Sequence, residues 1–405
     1  MFKNIAIKRQ AYNTEEHQML QTALDELIKK EVHPNYEEWE KQKRVPKEFW
    51  KKMGEQGFLC MDMPEEYGGG GLDFSFAAMV LERCRYQGLD FGIAVHSDIV
   101  APYILNYGTE AQKQKFLPKM ASGEWVGSIG MSEPSAGSDL KSLKTTAMDM
   151  GDHYLVNGSK TFITNGYVCD FCCCAVRTNQ GTPDEGISLL LIEKSFEGFT
   201  TGQPFDKIGA KAQDTCELFF DNVKVPKENL LGEEGMGFKY MMQELPRERL
   251  GIGIEAIGSA EGVLDKTLQY VTERRAFKKA IAEFQNTQFK LADCAAELQV
   301  YQSFIDHCTL LQKDHKLTAV QGSISKMKAT EAYSKIVDEC LQLHGGYGFI
   351  WEYDVARSYA AARVTRIYGG TNEIMKLIIS RGLFSDFYKK NKAAQEARKA
   401  LVASN

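Results

Sequence analysis

The sequence predicts a mostly helical α+β protein, in which a module of β-strands lies between two modules of helices. Hydrophobic side chains recur at three- and four-residue steps between about residues 14 and 121, and again between about 235 and 381. Between about residues 125 and 226 this period shortens toward two, as it does in strands. Since 405 residues leave room for two or three domains, we expect three modules in one chain.

The composition excludes several classes of protein. Hydrophobic residues make up 43% and charged residues 25%, which are ordinary values for folded globular domains. The net charge of −5 argues against a basic protein that coats nucleic acid. Ten cysteines are too few for a disulfide scaffold, and three of them, Cys172–Cys174, stand in an apolar run that predicts a buried strand. Because no long apolar run and no signal-like start are found, we expect no membrane span, no targeting peptide and a reducing compartment.

The two helical modules show distinct local features. Residues 76–105 carry the clearest helical pattern of the first module, and Gly68–Gly71 predict a loop before it, because four glycines cost too much entropy in a helix. In the second module, Pro246 is expected to start or kink a helix within Phe238–Thr272. Small residues in that segment predict closely approaching backbones: Gly251, Gly253, Ala256, Gly258 and Ala260.

The central module carries a hairpin signal. His153–Val156 and Ser159–Ile163 alternate in polarity around Asn157-Gly158, a pair that favours a type I′ turn. Several short strands at this spacing indicate a small barrel or sandwich. The other predicted strands are Phe171–Arg177, Ile187–Glu193, Phe199–Gly202 and Cys216–Val225.

Five segments combine glycines, hydroxyls or charges in patterns that suit ligand binding. They are Met131–Leu140, Glu244–Leu250, Tyr270–Phe277, Gln342–Phe349 and Arg366–Met375. Free backbone amides can hold a phosphate or the polar edge of a ring, and an arginine at a helix end can bind a pyrophosphate. Each segment alone could equally be a surface turn, a helix end or a solvated charge cluster.

Single residues within these segments are weak signals by themselves. His344 alone is more often a structural histidine than a catalyst, and we expect no metal site. Thr371 follows a glycine pair at a predicted helix start, where free N–H groups could face a ligand. Glu248 is one of 54 acidic residues, for which an exposed ion pair is the ordinary interpretation.

Taken together and in order, the five segments resemble the acyl-CoA dehydrogenase family over about residues 14–381. The segment Met131–Leu140, for example, is similar to the family's flavin loop, T-E-P-x-A-G-S-D. The resemblance implies an N-terminal helical domain, a central β-barrel domain and a C-terminal four-helix bundle. The corresponding ranges are 1–124, 125–232 and 233–385, with a frayed tail at 386–405.

The resemblance also implies FAD as the cofactor. One departure from the family pattern is Lys278, which stands where a glycine usually follows Phe277 and bears on the local turn. The implied flavin-contacting residues are Ile129, Met131, Ser132, Gly137, Ser138, Phe162, Ile163, Thr164, Arg274, Phe277, Gln285, Gln342, Leu343, His344, Gly345, Gly346, Thr371, Asn372 and Glu373.

A second departure concerns the catalytic base. Many family members carry it as the glutamate of a Tyr-Glu-Gly-Thr segment, which here has Gly369 at that position. The long-chain and isovaleryl-type branches instead place the base on a long helix before Arg-Leu, as in Glu248-Arg249-Leu250. The resemblance therefore implies Glu248 as the base. The implied substrate-contacting residues are Ser138, Arg247, Arg249, Gly369 and Gly370.

The implied activity is the α,β-dehydrogenation of a medium-to-long-chain acyl-CoA, straight or branched, to a trans-2-enoyl-CoA in fatty-acid β-oxidation. Glu248 would remove the α-proton while the β-hydride passes to flavin N5. Family members are commonly homotetramers that pass electrons to an electron-transfer flavoprotein. The expected location is the bacterial cytoplasm, or the mitochondrial matrix for a processed chain.

Other functions remain open at this level. An acyl-CoA oxidase shares the architecture but is usually longer, and an isovaleryl or other branched-chain acyl-CoA dehydrogenase has a similar base. Nitroalkane oxidase relatives place an aspartate where this chain has Gly369. A catalytically degenerate binding subunit is the alternative from another class, and it would lack flavin colour.

Overall fold

The computed structural model describes residues 5–178 and 186–387 and has the predicted order of helices, strands and helices. From residue 388 onward, the predicted frayed tail lies outside the described residues. Within the two described ranges, no helix pairs enough length with enough apolar character to cross a lipid bilayer.

The N-terminal module is helical, as predicted. Thr14, Asp73 and Thr109 begin three of its helices, and each side chain accepts a hydrogen bond from a backbone N–H of the first turn. The glycine run is a loop, as expected. The helices are α1 (Glu15–Leu27), α2 (Tyr36–Gln42), α3 (Lys47–Glu55), α4 (Phe74–Tyr86), α5 (Ala101–Tyr107) and α6 (Glu110–Ala121), with π-helical turns at Ile28–Val32 and Ala94–Val100.

The central module is an open sheet rather than the predicted closed barrel. In the described residues the strand order is β6-β7-β3-β2-β4-β5-β8, with β1 parallel to β4 and off this path. The two edge strands have three and two residues, and they do not pair with each other, so the hydrogen-bond ladder does not close. The strands are β1 (Gly127–Gly130), β2 (Thr146–Asp149), β3 (His153–Thr164), β4 (Phe171–Arg177), β5 (Ile187–Glu193), β6 (Phe199–Thr201), β7 (Thr215–Pro226) and β8 (Leu230–Leu231).

The predicted hairpin at Asn157-Gly158 is wrong, because both residues lie inside the continuous strand β3. The pairing of β3 with β7 shifts its register between Val156 and Gly158, which identifies a β-bulge. Gly158 has φ +147, and a Cβ there would lie 2.6 Å from Oγ1 of Thr145. Glycine is therefore needed here for the bulge and for the close approach of Thr145. An Asn-Gly pair in the sequence does not show whether its glycine forms a turn or a bulge.

The three consecutive cysteines lie on β4 and are fully buried, as predicted. Cys173 faces the core shared with α5 and α6, whereas Cys172 and Cys174 face the opposite core shared with β7. All ten cysteines are free and buried. The strand is therefore covered on both faces, which explains why its sequence is continuously apolar.

The C-terminal module is helical, as predicted, and has five helices within the described residues. Pro246 does not start a helix, because α7 starts nine residues earlier and continues through it. The small residues of α7 allow close packing, as expected: a Cβ on Gly258 would overlap the carbonyl oxygen of Glu82 on α4. The helices are α7 (Gly237–Glu273), α8 (Gln285–Lys313), α9 (Ala319–His344), α10 (Asp354–Thr365) and α11 (Asn372–Leu383), and the short strands β9 (Arg275–Ala276) and β10 (Lys279–Ala280) join α7 to α8.

Candidate active site

Glu248 lies on α7 against the N-terminal module, and its side chain is buried with 8% of its surface exposed. The hydroxyl of Tyr103, on α5, donates a hydrogen bond of 3.0 Å to Oε1 of Glu248. Burial raises the pKa of Glu248 to about 7, although the Tyr103 hydrogen bond opposes this shift by favouring the ionised form. A carboxylate in this state can take and release a proton near neutral pH.

Glu244, one helical turn before Glu248, has a different environment. Its Oε1 accepts hydrogen bonds from Nδ2 of Asn106 at 2.9 Å and from the hydroxyl of Tyr107 at 2.8 Å. Tyr103 and Tyr107 are themselves one turn apart on α5, so the two tyrosines pair with the two glutamates. Glu244 therefore has more hydrogen bonds at one oxygen than Glu248, which makes Glu248 the better base.

The glycine pair of the segment before α11 packs against α7 beside Glu248. Nε of Arg249 donates to the carbonyl oxygen of Gly369 at 3.3 Å. A Cβ on Gly369 would overlap Cδ1 of Ile252, which is one turn beyond Glu248 on the same face of α7. The structure thus brings together Arg249, Gly369 and Gly370, three of the residues predicted for substrate binding, and Glu248 lies next to Arg249 on α7.

Arg247, also predicted to contact substrate, is not part of this group. Its guanidinium is buried toward the N-terminal module, where Nη1 lies 2.7 Å from Oδ2 of Asp62 and Nη2 lies 3.5 Å from Oδ1 of Asp98. Each step along a helix turns the side-chain direction by about 100°, so Arg247 and Arg249, two positions apart, point about 160° away from each other and face different partners. The position of Arg247 corrects the prediction: its charge holds α7 against the N-terminal module.

The loop Met131–Leu140 is held by a buried ion pair that the sequence analysis missed. Glu133 accepts hydrogen bonds from Nζ of Lys160 at 2.8 Å and from the amides of Lys144 and Thr145 at 2.6 and 3.0 Å. Gly137 and Ser138, the predicted ligand contacts of this loop, are exposed. Glu133 within the motif was the available sign of this ion pair, but its partner Lys160 lies 27 residues further along the chain.

Phe162 has the backbone conformation that points most directly to a ligand. It has φ +60 within a second bulge of β3, and 70% of its surface is exposed. A bulky residue in the left-handed region is uncommon and costs energy, so its outward ring is a candidate contact for a flat cofactor. The side chain of Ile163 is instead buried in the sheet core, so a contact from this residue could only be made by its backbone.

A second group of predicted residues lines an open cleft of about 580 Å³ at the far end of α7. Here Arg274 and the segment Gln342–Gly346 meet, with Tyr270 below them. His344 is satisfied structurally, since its Nδ1 lies 2.8 Å from the carbonyl oxygen of Cys340 and its ring stacks on Tyr270. No group of metal-ligating side chains is found among the described residues.

Lys278 occupies a turn that suits glycine. Phe277 and Lys278 have φ +51 and +66 between β9 and β10, which are the positive angles of a type I′ turn. The turn therefore forms without the usual glycine, and it leaves the Phe277 ring 89% exposed. Gln285, another predicted flavin contact, begins α8 shortly after this turn.

We expect Lys278→Gly to raise the free energy of unfolding by about 0.5–1 kcal/mol, because glycine adopts the left-handed region without strain. Urea denaturation would measure the change. The matched control is Lys279→Gly in β10, where φ is not positive and a glycine should destabilise. Equal stabilities for the two variants would contradict the assigned conformation.

Of the three predicted residues at the start of α11, Thr371 caps the helix by accepting from the amide of Ile374. Asn372 is buried: its Oδ1 lies 2.8 Å from Nζ of Lys326, and its Nδ2 donates to Oγ1 of Thr330 at 3.2 Å. Both polar atoms of the Asn372 side chain thus have partners, so the predicted cofactor contact of this residue would have to be made by its backbone. Glu373 is exposed.

We expect Tyr103→Phe to move the rise of kcat/KM with pH to higher pH. Losing the hydroxyl removes a hydrogen bond that favours ionised Glu248, so the pKa rises further and less base is available at pH 7. At pH 7 we expect kcat/KM to fall by about tenfold. Tyr107→Phe, which removes a hydroxyl bound to Glu244, is the matched control and should leave the profile unshifted.

Comparison with known proteins agrees with this geometry. The N-terminal, middle and C-terminal domain families of acyl-CoA dehydrogenase match residues 14–124, 128–223 and 235–384. The mitochondrial long-chain specific acyl-CoA dehydrogenase of Mus musculus is 44% identical over 92% of this chain and 87% of its own length. An acyl-CoA dehydrogenase of Bacillus subtilis is 37% identical over 91% of this chain and 98% of its own length.

The crystal structure of an acyl-CoA dehydrogenase from Geobacillus kaustophilus superposes with a TM-score of 0.90 at 46% identity, covering 93% of this chain and all of that chain. The chain belongs to the acyl-CoA dehydrogenase family, whose members are FAD-dependent oxidoreductases of fatty-acid oxidation.

Proposed function

We propose that this chain oxidises a medium-to-long-chain acyl-CoA, straight or branched, to the trans-2-enoyl-CoA, with Glu248 as the base that removes the α-proton. The observation that carries the proposal is the buried Glu248, whose pKa is raised to about 7 and whose neighbour Arg249 binds Gly369, the glycine at the other family position for the base. The long-chain relatives at 44% identity support the chain-length class.

Burial suits Glu248 to this step. The α-carbon of a thioester is only weakly acidic, so the base works best when its own pKa is close to the working pH. Bound FAD would supply the acceptor for the hydride of the β-carbon, so the part of this chain's own residues is to remove the α-proton. Arg249 is close enough to the glycine segment to hold it in place while the proton moves to Glu248.

The residues that would hold FAD fit its two halves. The exposed loop tip at Gly137-Ser138 and the outward ring of Phe162 offer hydroxyl, amide and aromatic contacts to a flavin ring. The cleft around Arg274 offers a cation and the backbone of Gly345-Gly346 to a pyrophosphate and an adenine.

The cleft around Arg274 lies far from Glu248 along α7. Arg274 comes 26 residues after Glu248, or about 39 Å along the helix at 1.5 Å per residue. We propose that the flavin and the adenine ends of one cofactor are held by two copies of the chain. This separation supports a homo-oligomer, and we propose the family's homotetramer.

We propose an electron-transfer flavoprotein as the electron acceptor, as in the family. The bacterial cytoplasm and the mitochondrial matrix are the two proposed locations, which correspond to the Bacillus subtilis and Mus musculus relatives.

The test is an absorption spectrum followed by anaerobic titration with acyl-CoAs of graded length and branching. We expect a flavin spectrum that medium-to-long acyl-CoAs bleach most. A flavin that no acyl-CoA bleaches would contradict the proposed substrate, and a colourless protein that takes up no FAD would favour a binding subunit. Rapid reoxidation by oxygen, in place of an electron-transfer flavoprotein, would instead favour an oxidase.

A further inference from the structure

Lys326, on α9, is a buried lysine close to the active-site group that the proposed reaction does not use. Its side chain is completely buried, and its Nζ donates to the carbonyl oxygen of Gly370 and to Oδ1 of Asn372, both at 2.8 Å. No carboxylate within the described ranges forms an ion pair with it. Burying an ammonium group without a counter-ion costs free energy, which suggests that Lys326 has a specific role.

The charge around Lys326 adds to this cost. Arg249 is a like charge close enough to disfavour the protonated lysine, as is Arg366, while Glu373 and Glu331 offset them only in part. Burial is the largest influence and lowers the pKa of Lys326 to about 7. Two cations from two helices thus converge on the segment Gly369–Asn372.

The two cations hold two successive peptide groups of that segment. Arg249 binds the carbonyl oxygen of Gly369, and Lys326 binds that of Gly370. In a planar trans peptide the N–H points away from the C=O, so the N–H groups of Gly370 and Thr371 point to the side opposite the cations. These two N–H groups have no acceptor in the part of the chain that the structure describes, and their residues are only half-buried.

We propose that Lys326 is a positioning residue of the active site. It acts with Arg249 to fix the peptide groups of Gly369 and Gly370, so that the free N–H groups of Gly370 and Thr371 face the bound substrate or cofactor as preorganised donors. Both glycines have positive φ, +63 and +92, and such a segment has few other constraints to hold it. This inference rests on the proposed dehydrogenation, because it concerns the geometry of that site.

The test is Lys326→Met, which keeps the length of the side chain but removes its donor and charge. The matched control is Lys328→Met, two residues along the same helix, where the lysine is partly exposed and pairs with Glu331. The readouts are flavin content and the rate of anaerobic flavin reduction against acyl-CoA concentration, with the substrate that bleaches the wild type best. We expect the rate at saturation to fall by about tenfold to hundredfold in Lys326→Met, while the half-saturating concentration changes little.

A second variant covers the case in which Lys326→Met does not fold. Asn372→Asp keeps the shape of the site but places a carboxylate next to Nζ of Lys326. The ammonium group then binds the carboxylate more strongly than the carbonyl oxygen of Gly370, so we expect flavin reduction to slow by about tenfold. If either folded variant reduces its flavin as fast as Lys328→Met, the inference is wrong. If no acyl-CoA bleaches the wild type, the proposed function fails and the inference fails with it.

Discussion

Glu248→Gln is expected to lower kcat by about 10³-fold, within the range that a positioned general base contributes. The amide keeps the size of the side chain and can still accept the Tyr103 hydrogen bond at its oxygen, but it cannot take the α-proton. The fold and the flavin should therefore be retained. The measurement is steady-state turnover with the best acyl-CoA, together with the flavin absorbance of the purified variant.

Glu244→Gln is the control, because it makes the same substitution one turn earlier on α7. Its oxygen still accepts from Asn106 and Tyr107, so we expect turnover to remain within about tenfold of the wild type. If Glu248→Gln retained activity within threefold while Glu244→Gln lost it, the base would be Glu244.

The pH dependence of the wild type adds a check on the same assignment. A base works when it is deprotonated, and Glu248 has its pKa raised to about 7. As the pH rises through that value the ionised fraction grows, so kcat/KM should increase from acidic to slightly alkaline pH and then level off. Glu248→Gln should lose this rise along with its activity.

Local patterns in the sequence predicted most of the fold, since each element depends mainly on its own residues. Strands β4 and β5 have the predicted bounds because a continuous apolar run is sufficient to identify a buried strand. The Asn157-Gly158 prediction failed because a glycine that permits a turn also permits a bulge, and only the pairing with β7 decides between them. Closure of the sheet depends similarly on edge strands that are not neighbours in sequence.

The candidate site was predictable as a set of segments but not as an arrangement. The motif around Glu248 was sufficient to propose this residue as the base. Tyr103, which donates a hydrogen bond to Glu248, is 145 residues away in a segment with no motif of its own. Arg247 and Arg249 are equivalent in the sequence, and only the orientation of α7 shows that one faces Asp62 and the other Gly369.

Gly369→Glu is expected to restore activity to the Glu248→Gln variant, but only when Ile252→Ala is also present. The two carboxylate positions are complementary, because Gly369 packs on the same face of α7 one turn from Glu248. A side chain at position 369 meets two obstacles: φ is +63, which strains any residue with a Cβ, and Cδ1 of Ile252 occupies the space the Cβ needs. Truncating Ile252 removes the second obstacle and leaves room for the new carboxylate.

We therefore expect the triple variant to exceed Glu248→Gln in kcat by at least about tenfold, a fraction of what a well-placed base contributes. The gain should be largest with shorter acyl chains, because the new side chain takes up space beside the chain. Gly369→Gln with Ile252→Ala in the same background is the matched control, and it should gain nothing since it adds the bulk without a base. A triple variant no faster than this control would show that a carboxylate at 369 does not reach the α-carbon that Glu248 serves. The strained φ at 369 would then favour the long helix as the place for the proposed base, because a glutamate there needs no unusual backbone.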